Sequence, residues 1–118
     1  LKEGGFFYLF DGHPFRNVFL DAKGEAGTTV QGDYFRREPG EYPGMGDYTD
    51  PEFMLPGKSF EWDWTLGEVV TAFCEVGMRI VFLHEYAQFF YSGYTPCDIQ
   101  GTRGEMFPCT FSLKAAMK

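Results

Sequence analysis

The sequence predicts an α/β fold, and three observations predict it. Phe6–Phe10 and Ile80–Leu83 are continuous apolar runs too short for helices, and residues 66–78 between them carry a helical pattern opened by a capping signal. Continuous rather than alternating hydrophobicity is expected of strands covered on both faces. Strand, excursion, helix and strand in that order imply two parallel strands joined by a crossover. The chain of 118 residues has the length of one ordinary domain.

The elements follow in chain order. Leu1-Lys2-Glu3-Gly4-Gly5 reads as the end of a helix, with Lys2 in a last turn and Gly4 or Gly5 at the left-handed position, so the chain is expected to continue a longer fold. Phe6-Phe7-Tyr8-Leu9-Phe10 is a buried strand that Asp11-Gly12-His13-Pro14 closes. Residues 16–60 are rich in Gly and Pro and show no helical period. Val18-Phe19-Leu20 and Val30 to Phe35 read as short strands there, and Asp21-Ala22-Lys23-Gly24 and Arg37-Glu38-Pro39-Gly40 as turns. A connection this long is expected to cover a site. It reads as an insertion or cap carrying Tyr34, Phe35, Tyr42, Tyr48 and Phe53.

Thr65 and Glu68 form a capping-box pair ahead of Leu66, Val69, Val70, Phe73 and Val76, which share one helix face, and Gly77 ends the helix. Cys74, near that face, reads as a small buried hydrophobe. The second strand is Arg79–Tyr86. After a Gly-, Pro- and Tyr-containing connection (89–105), the last strand alternates. Phe107, Cys109, Phe111, Leu113, Ala115 and Met117 are expected to face the core, with Thr110, Ser112 and Lys114 toward solvent or a thinner cover.

Seventeen acidic against ten basic side chains give a net charge of −7, which argues against a nucleic-acid groove or an anionic membrane as partner. Aromatic residues make up 19% of the chain, too many for a disordered acidic tail. No apolar run approaches the roughly 18 residues of a membrane span. The cysteines Cys74, Cys97 and Cys109 have neither disulfide-framework nor zinc-ligand spacing, and neither Cys74 nor Cys109 has a neighbouring base, so a cytoplasmic location is expected.

Several segments resemble class I S-adenosylmethionine-dependent methyltransferases. Leu1-Lys2-Glu3-Gly4-Gly5-Phe6-Phe7-Tyr8 resembles their LKPGG helix end and fifth strand, and Asp11-Gly12-His13-Pro14-Phe15 the strand tip of a bacterial branch of small-molecule type. Phe60-Glu61-Trp62-Asp63-Trp64-Thr65-Leu66-Gly67-Glu68-Val69-Val70 is similar to that branch's YEWxHxLGEIV run. Gly77–Tyr86 resembles its GLRIEFLHEY turn and sixth strand, and Met106–Ala115 its LPLMFSLKA seventh strand. Trp64 stands where the pattern has His.

The resemblance implies the C-terminal part of a Rossmann-like methyltransferase sheet, with strands five, six and seven present and the seventh antiparallel between the other two. It also implies S-adenosylmethionine as cofactor and a small-molecule methyl acceptor. The glycine-rich cofactor loop and the ribose-binding acid would lie upstream, and the chain contains no G-x-G-x-x-G. The fragment would supply the acceptor side and have no useful cofactor affinity alone.

Ligands of open α/β sheets sit beyond the C-terminal ends of the parallel strands. That rule selects Asp11, His13 and Phe15 after the first strand and His84, Glu85 and Tyr86 at the end of the second. His13 is the general-base candidate with Asp11 beside it, because imidazole titrates near neutral pH; the alternative is a plain turn. Trp62 and Trp64, with Tyr34, Phe35 and Phe60, suit the wall of an acceptor pocket or ordinary packing. His84 and Glu85 with Asp11 or His13 have the residue types of an iron or zinc set, yet with two histidines in the chain no metal is expected. Two other classes fit the residues: a non-enzymatic binding or dimerisation module built on a half-sheet, homo-oligomeric through its first strand's open edge, and a small all-β ligand-binding fold.

Overall fold

The computed structural model describes residues 1–19, 29–44, 46, 50, 52–88 and 107–117. Leu20, the Asp21–Gly24 turn, Tyr48, Cys97, Met106 and the 89–105 connection therefore lie outside the described residues. Seven elements follow in order: β1 (Phe6–Gly12), a 3-10 helix (Pro14–Phe19), β2 (Gly40–Pro43), β3 (Lys58–Glu61), α1 (Leu66–Glu75), β4 (Arg79–Tyr86) and β5 (Thr110–Ala116). The α/β class stands, and α1 overturns the all-β alternative.

The main sheet has the order β1-β5-β4, with β5 antiparallel to both neighbours. β1 and β4 are consequently parallel and flank the last strand. Leu9, Leu113 and Leu83 lie in register across the three strands, as do Asp11, Phe111 and Glu85. On β4 the register shifts between Ile80 and Phe82, so Val81 is the extra residue of a bulge. β2 and β3 form a separate antiparallel pair.

One face of the main sheet packs on α1. Met78, Phe111, Leu113 and Ala115 are buried there, with Leu9, Leu66, Val70, Phe73 and Ile80 packed around them. Phe7 meets Phe73 at 5.1 Å between ring centroids. The expected apolar stripe of the helix is narrower than its spacing suggests: Val76 is exposed because it is already the C-cap, and Cys74 is exposed too. Gly77, at φ +79°, supplies the left-handed turn. Its N–H donates to the Cys74 carbonyl and that of Met78 to the Phe73 carbonyl, a Schellman closure that turns the chain into β4.

The opposite face carries two aromatic rows, Phe6, Tyr8 and Phe10 on β1 and Phe82, His84 and Tyr86 on β4. Tyr8 and Phe82 approach to 6.1 Å and Phe10 and Tyr86 to 6.3 Å, arching over the short side chains of β5. Of the two surroundings expected for the polar side of the last strand, solvent or a thinner cover, it has the cover. Thr110 and Ser112 are fully buried: Thr110 Oγ1 donates to the Gln88 carbonyl, and Ser112 Oγ lies 3.1 Å from the Tyr86 hydroxyl. Lys114 Nζ sits 4.4 Å from the Phe6 ring centroid.

Between 16 and 60 the expected strands are replaced. Pro14 sets the helical φ of a first position, and Arg16 N–H donates to the His13 carbonyl, so Val18 and Phe19 enter a 3-10 helix instead of a strand. Residues 30–35 are not a strand either. The N–H groups of Gln31 and Gly32 both donate to the Val18 carbonyl, and Asp33 closes a turn by accepting from Phe35 N–H and Arg36 N–H. In place of the turn foreseen at Arg37–Gly40 there is a bend at Glu38, and Gly40 already belongs to β2. No helix among the described residues is long and apolar enough to cross a membrane.

The capping box of α1 is complete. Glu68 N–H donates to Thr65 Oγ1, while Thr65 N–H and Oγ1–H donate to Glu68 Oε2. The Thr65 side chain first, and its backbone N–H second, hold the Glu68 carboxyl below its ordinary value of 4.5; Arg37 assists and burial opposes. The folded value therefore lies below the unfolded one. The stabilisation is complete above the unfolded value and disappears as pH falls through the folded one. Acidification from about pH 6 to about pH 3 is expected to erode the helical circular dichroism signal, and Glu68→Gln to flatten that dependence. An identical pH profile in the variant would contradict this.

Candidate functional site

The site lies at the C-terminal ends of β1 and β4, where the chain leaves the sheet on the α1 side. His13 N–H donates to the Cys109 carbonyl and Cys109 N–H to the Tyr86 carbonyl, which carries the sheet one step past its strands. This step buries His13 beneath the sheet end, its ring 6.1 Å from that of Phe111. Phe15 N–H donates to His13 Nδ1 at 3.1 Å, so the ring proton is on Nε2, which donates to Glu85 Oε1 at 2.8 Å. Both ring nitrogens are thus engaged. As folded, His13 is a clamp that ties the tip of β1 to the tip of β4 across β5. To act as a base it would have to release one of these bonds.

Asp11 stands in register with Glu85 and opens on a cavity of about 460 Å³ between the sheet end, the 3-10 helix and the β3–α1 link. Its Oδ1 accepts from Gly12 N–H, the turn bond that a plain strand ending would also make. Trp62 and Trp64 line this cavity with Glu61 and Asp63. Their position follows from local sequence: β3 ends at Glu61 and the N-cap is Thr65, so a three-residue link must carry both indoles past the start of α1. Trp62 and Trp64 remain 52% and 56% exposed, which makes them cavity wall rather than core.

A second cavity, about 540 Å³, is lined by Tyr34, Tyr42, Arg36 and Glu41. The two share Pro14, Asn17, Glu61 and Asp63, and Asn17 Nδ2 donates to Asp63 Oδ1 at 2.7 Å along that common wall. Tyr34 has a structural task as well, since its hydroxyl accepts from Leu66 N–H at the start of α1. Phe15 packs in an aromatic cluster with Phe19, Tyr34 and Phe107 behind the cavities. Phe35 is exposed, touches Tyr34 and lines neither cavity; Phe60 lines neither cavity.

The selected residues therefore separate into two groups. Asp11, Trp62 and Trp64 share one cavity, with Tyr34 in the adjoining one and His13 and Phe15 supporting from behind. His84 and Tyr86 belong to the opposite face of the sheet, where His84 stacks on Phe82 at 4.6 Å. That separation dissolves the imagined metal set, and among the described residues no group of three or more potential ligands comes together. Glu85 is exposed and is at the same time the partner of His13. Sequence reasoning missed Glu61, Asp63 and Asn17. For the two acids the alternation Glu61-Trp62-Asp63-Trp64 held the signal; for Asn17 there was none.

Comparison with protein-family models, with curated proteins and with solved structures finds no match for this chain.

Proposed function

We propose that the chain is the C-terminal, acceptor-side part of a class I S-adenosylmethionine-dependent methyltransferase that acts on a small molecule. The observation that supports this most is the sheet. Two parallel strands, β1 and β4, flank an antiparallel β5. That is the order and direction the resemblance implies for strands five, seven and six. The cavity of Asp11, Trp62 and Trp64 opens beyond the C-terminal ends of the parallel pair, where such sheets bind ligands.

The residues present do not fit the cofactor. α1 is preceded by Trp62-Asp63-Trp64 in place of a glycine turn, and no glycine-rich strand–loop–helix occurs among the described residues. The cofactor, which supplies the methyl group, would be held by other parts of the polypeptide. This chain's contribution is to hold the acceptor. The indoles exclude water from one side of it, and Asp11 stands at the strand end where it can take the acceptor's proton. His13 and Glu85 keep that strand end in place.

The test is methyl transfer by the natural polypeptide that contains this chain, given S-adenosylmethionine labelled in its methyl group and a small-molecule extract. Label in the small-molecule fraction is the expected result. Label confined to protein or nucleic acid, or none transferred, would contradict the proposal.

A further inference from the structure

The 460 Å³ cavity carries information about charge that the sheet does not. Its lining residues include three acids, Asp11, Glu61 and Asp63, and one basic residue, Arg16. Asp11 accepts from Gly12 N–H and Asp63 from Asn17, whereas the Glu61 side chain makes no hydrogen bond or ion pair among the described residues. The indoles of Trp62 and Trp64 alternate with these acids along the chain. They are half-exposed and make no ring contact with another aromatic side chain. An indole face attracts a cation through its quadrupole, and an unengaged carboxylate beside it adds a charge-assisted hydrogen bond. The volume is within the range of sites that hold small organic molecules.

We infer that this cavity binds a small organic cation, an amine on a compact aromatic or aliphatic frame. The ammonium group is held by Glu61 and Asp11, and the frame lies against Trp62 and Trp64. This acceptor class rests on the acceptor-side assignment above and adds the charge of the molecule that is held. An anionic acceptor would meet three like charges, and a neutral one would leave the Glu61 carboxylate unused.

Trp62 and Trp64 are the only tryptophans of the chain, so intrinsic fluorescence reads the cavity directly. The probes are 2-phenylethylammonium, the neutral 2-phenylethanol and the anionic 3-phenylpropanoate. The ammonium probe is expected to saturate the signal at a concentration at least about tenfold below the alcohol, and the carboxylate not to saturate it. Glu61→Gln is expected to weaken the ammonium probe by at least about threefold and leave the alcohol unchanged, with circular dichroism confirming an intact fold. Added salt should weaken the ammonium probe alone. Equal affinity for alcohol and ammonium, or no saturation by any probe, overturns the inference. Transfer of labelled methyl, measured separately, still decides the methyltransferase assignment in either case.

Discussion

Replacing His13 by alanine is expected to lower the stability of the chain by about 2–3 kcal/mol, the sum of a buried void and lost hydrogen bonds. The imidazole is buried against Phe111 and bonds the tip of β1 to the tip of β4 through Glu85. Its removal also leaves Phe15 N–H without its acceptor at the entry to the 3-10 helix. Glu85 is the milder position. Its side chain is half-exposed, so water can take its place, and Glu85→Gln keeps an oxygen that accepts from Nε2. That variant is expected to cost less than about 1 kcal/mol. Urea unfolding of the three proteins measures the difference. Equal stability of wild type and His13→Ala would show that the clamp is dispensable. Against the 5–15 kcal/mol typical of whole domains, the expected loss is large enough to see without ambiguity.

Under the proposed function, the double substitution Trp62→Ala, Trp64→Ala is expected to raise KM for the acceptor by at least about tenfold in the natural polypeptide, with kcat less affected. Both indoles line the cavity and neither is buried in the core. Folding should therefore survive, which separates a binding defect from a collapsed site. Single changes should each give part of the effect. Unchanged KM would remove the indoles from the acceptor wall, whatever the enzyme's activity.

How much of this was legible before the fold was known depended on the range of the interaction. Local signals read true. Thr65 and Glu68 close the capping box, Gly77 takes the left-handed turn and the two apolar runs are strands, because each is settled within a few residues. The runs are not the buried strands expected, since Phe6, Phe7, Tyr8, Phe10, Val81 and Leu83 are exposed. The His13–Glu85 bond joins residues 72 positions apart, and no local pattern announces it. The burial of Ser112 and Thr110 is likewise set at long range. Alternation marks which residues share a face, but the aromatic rows that bury the polar face belong to other strands. Val18 and Phe19 have strand-like side chains, and Pro14 with the His13 carbonyl overrode them. Asp11, Trp62 and Trp64, selected from strand ends and aromatic spacing, line one cavity. His84 and Tyr86 were placed with them because a strand end was treated as one locus, although its side chains point alternately to two faces.

The division of labour is tested most directly by calorimetric titration of S-adenosylmethionine into this 118-residue chain. An acceptor-side fragment without a glycine-rich loop is predicted to give no saturable heat at concentrations up to about 1 mM. Binding with a micromolar dissociation constant would place the cofactor site within these residues and contradict the assignment.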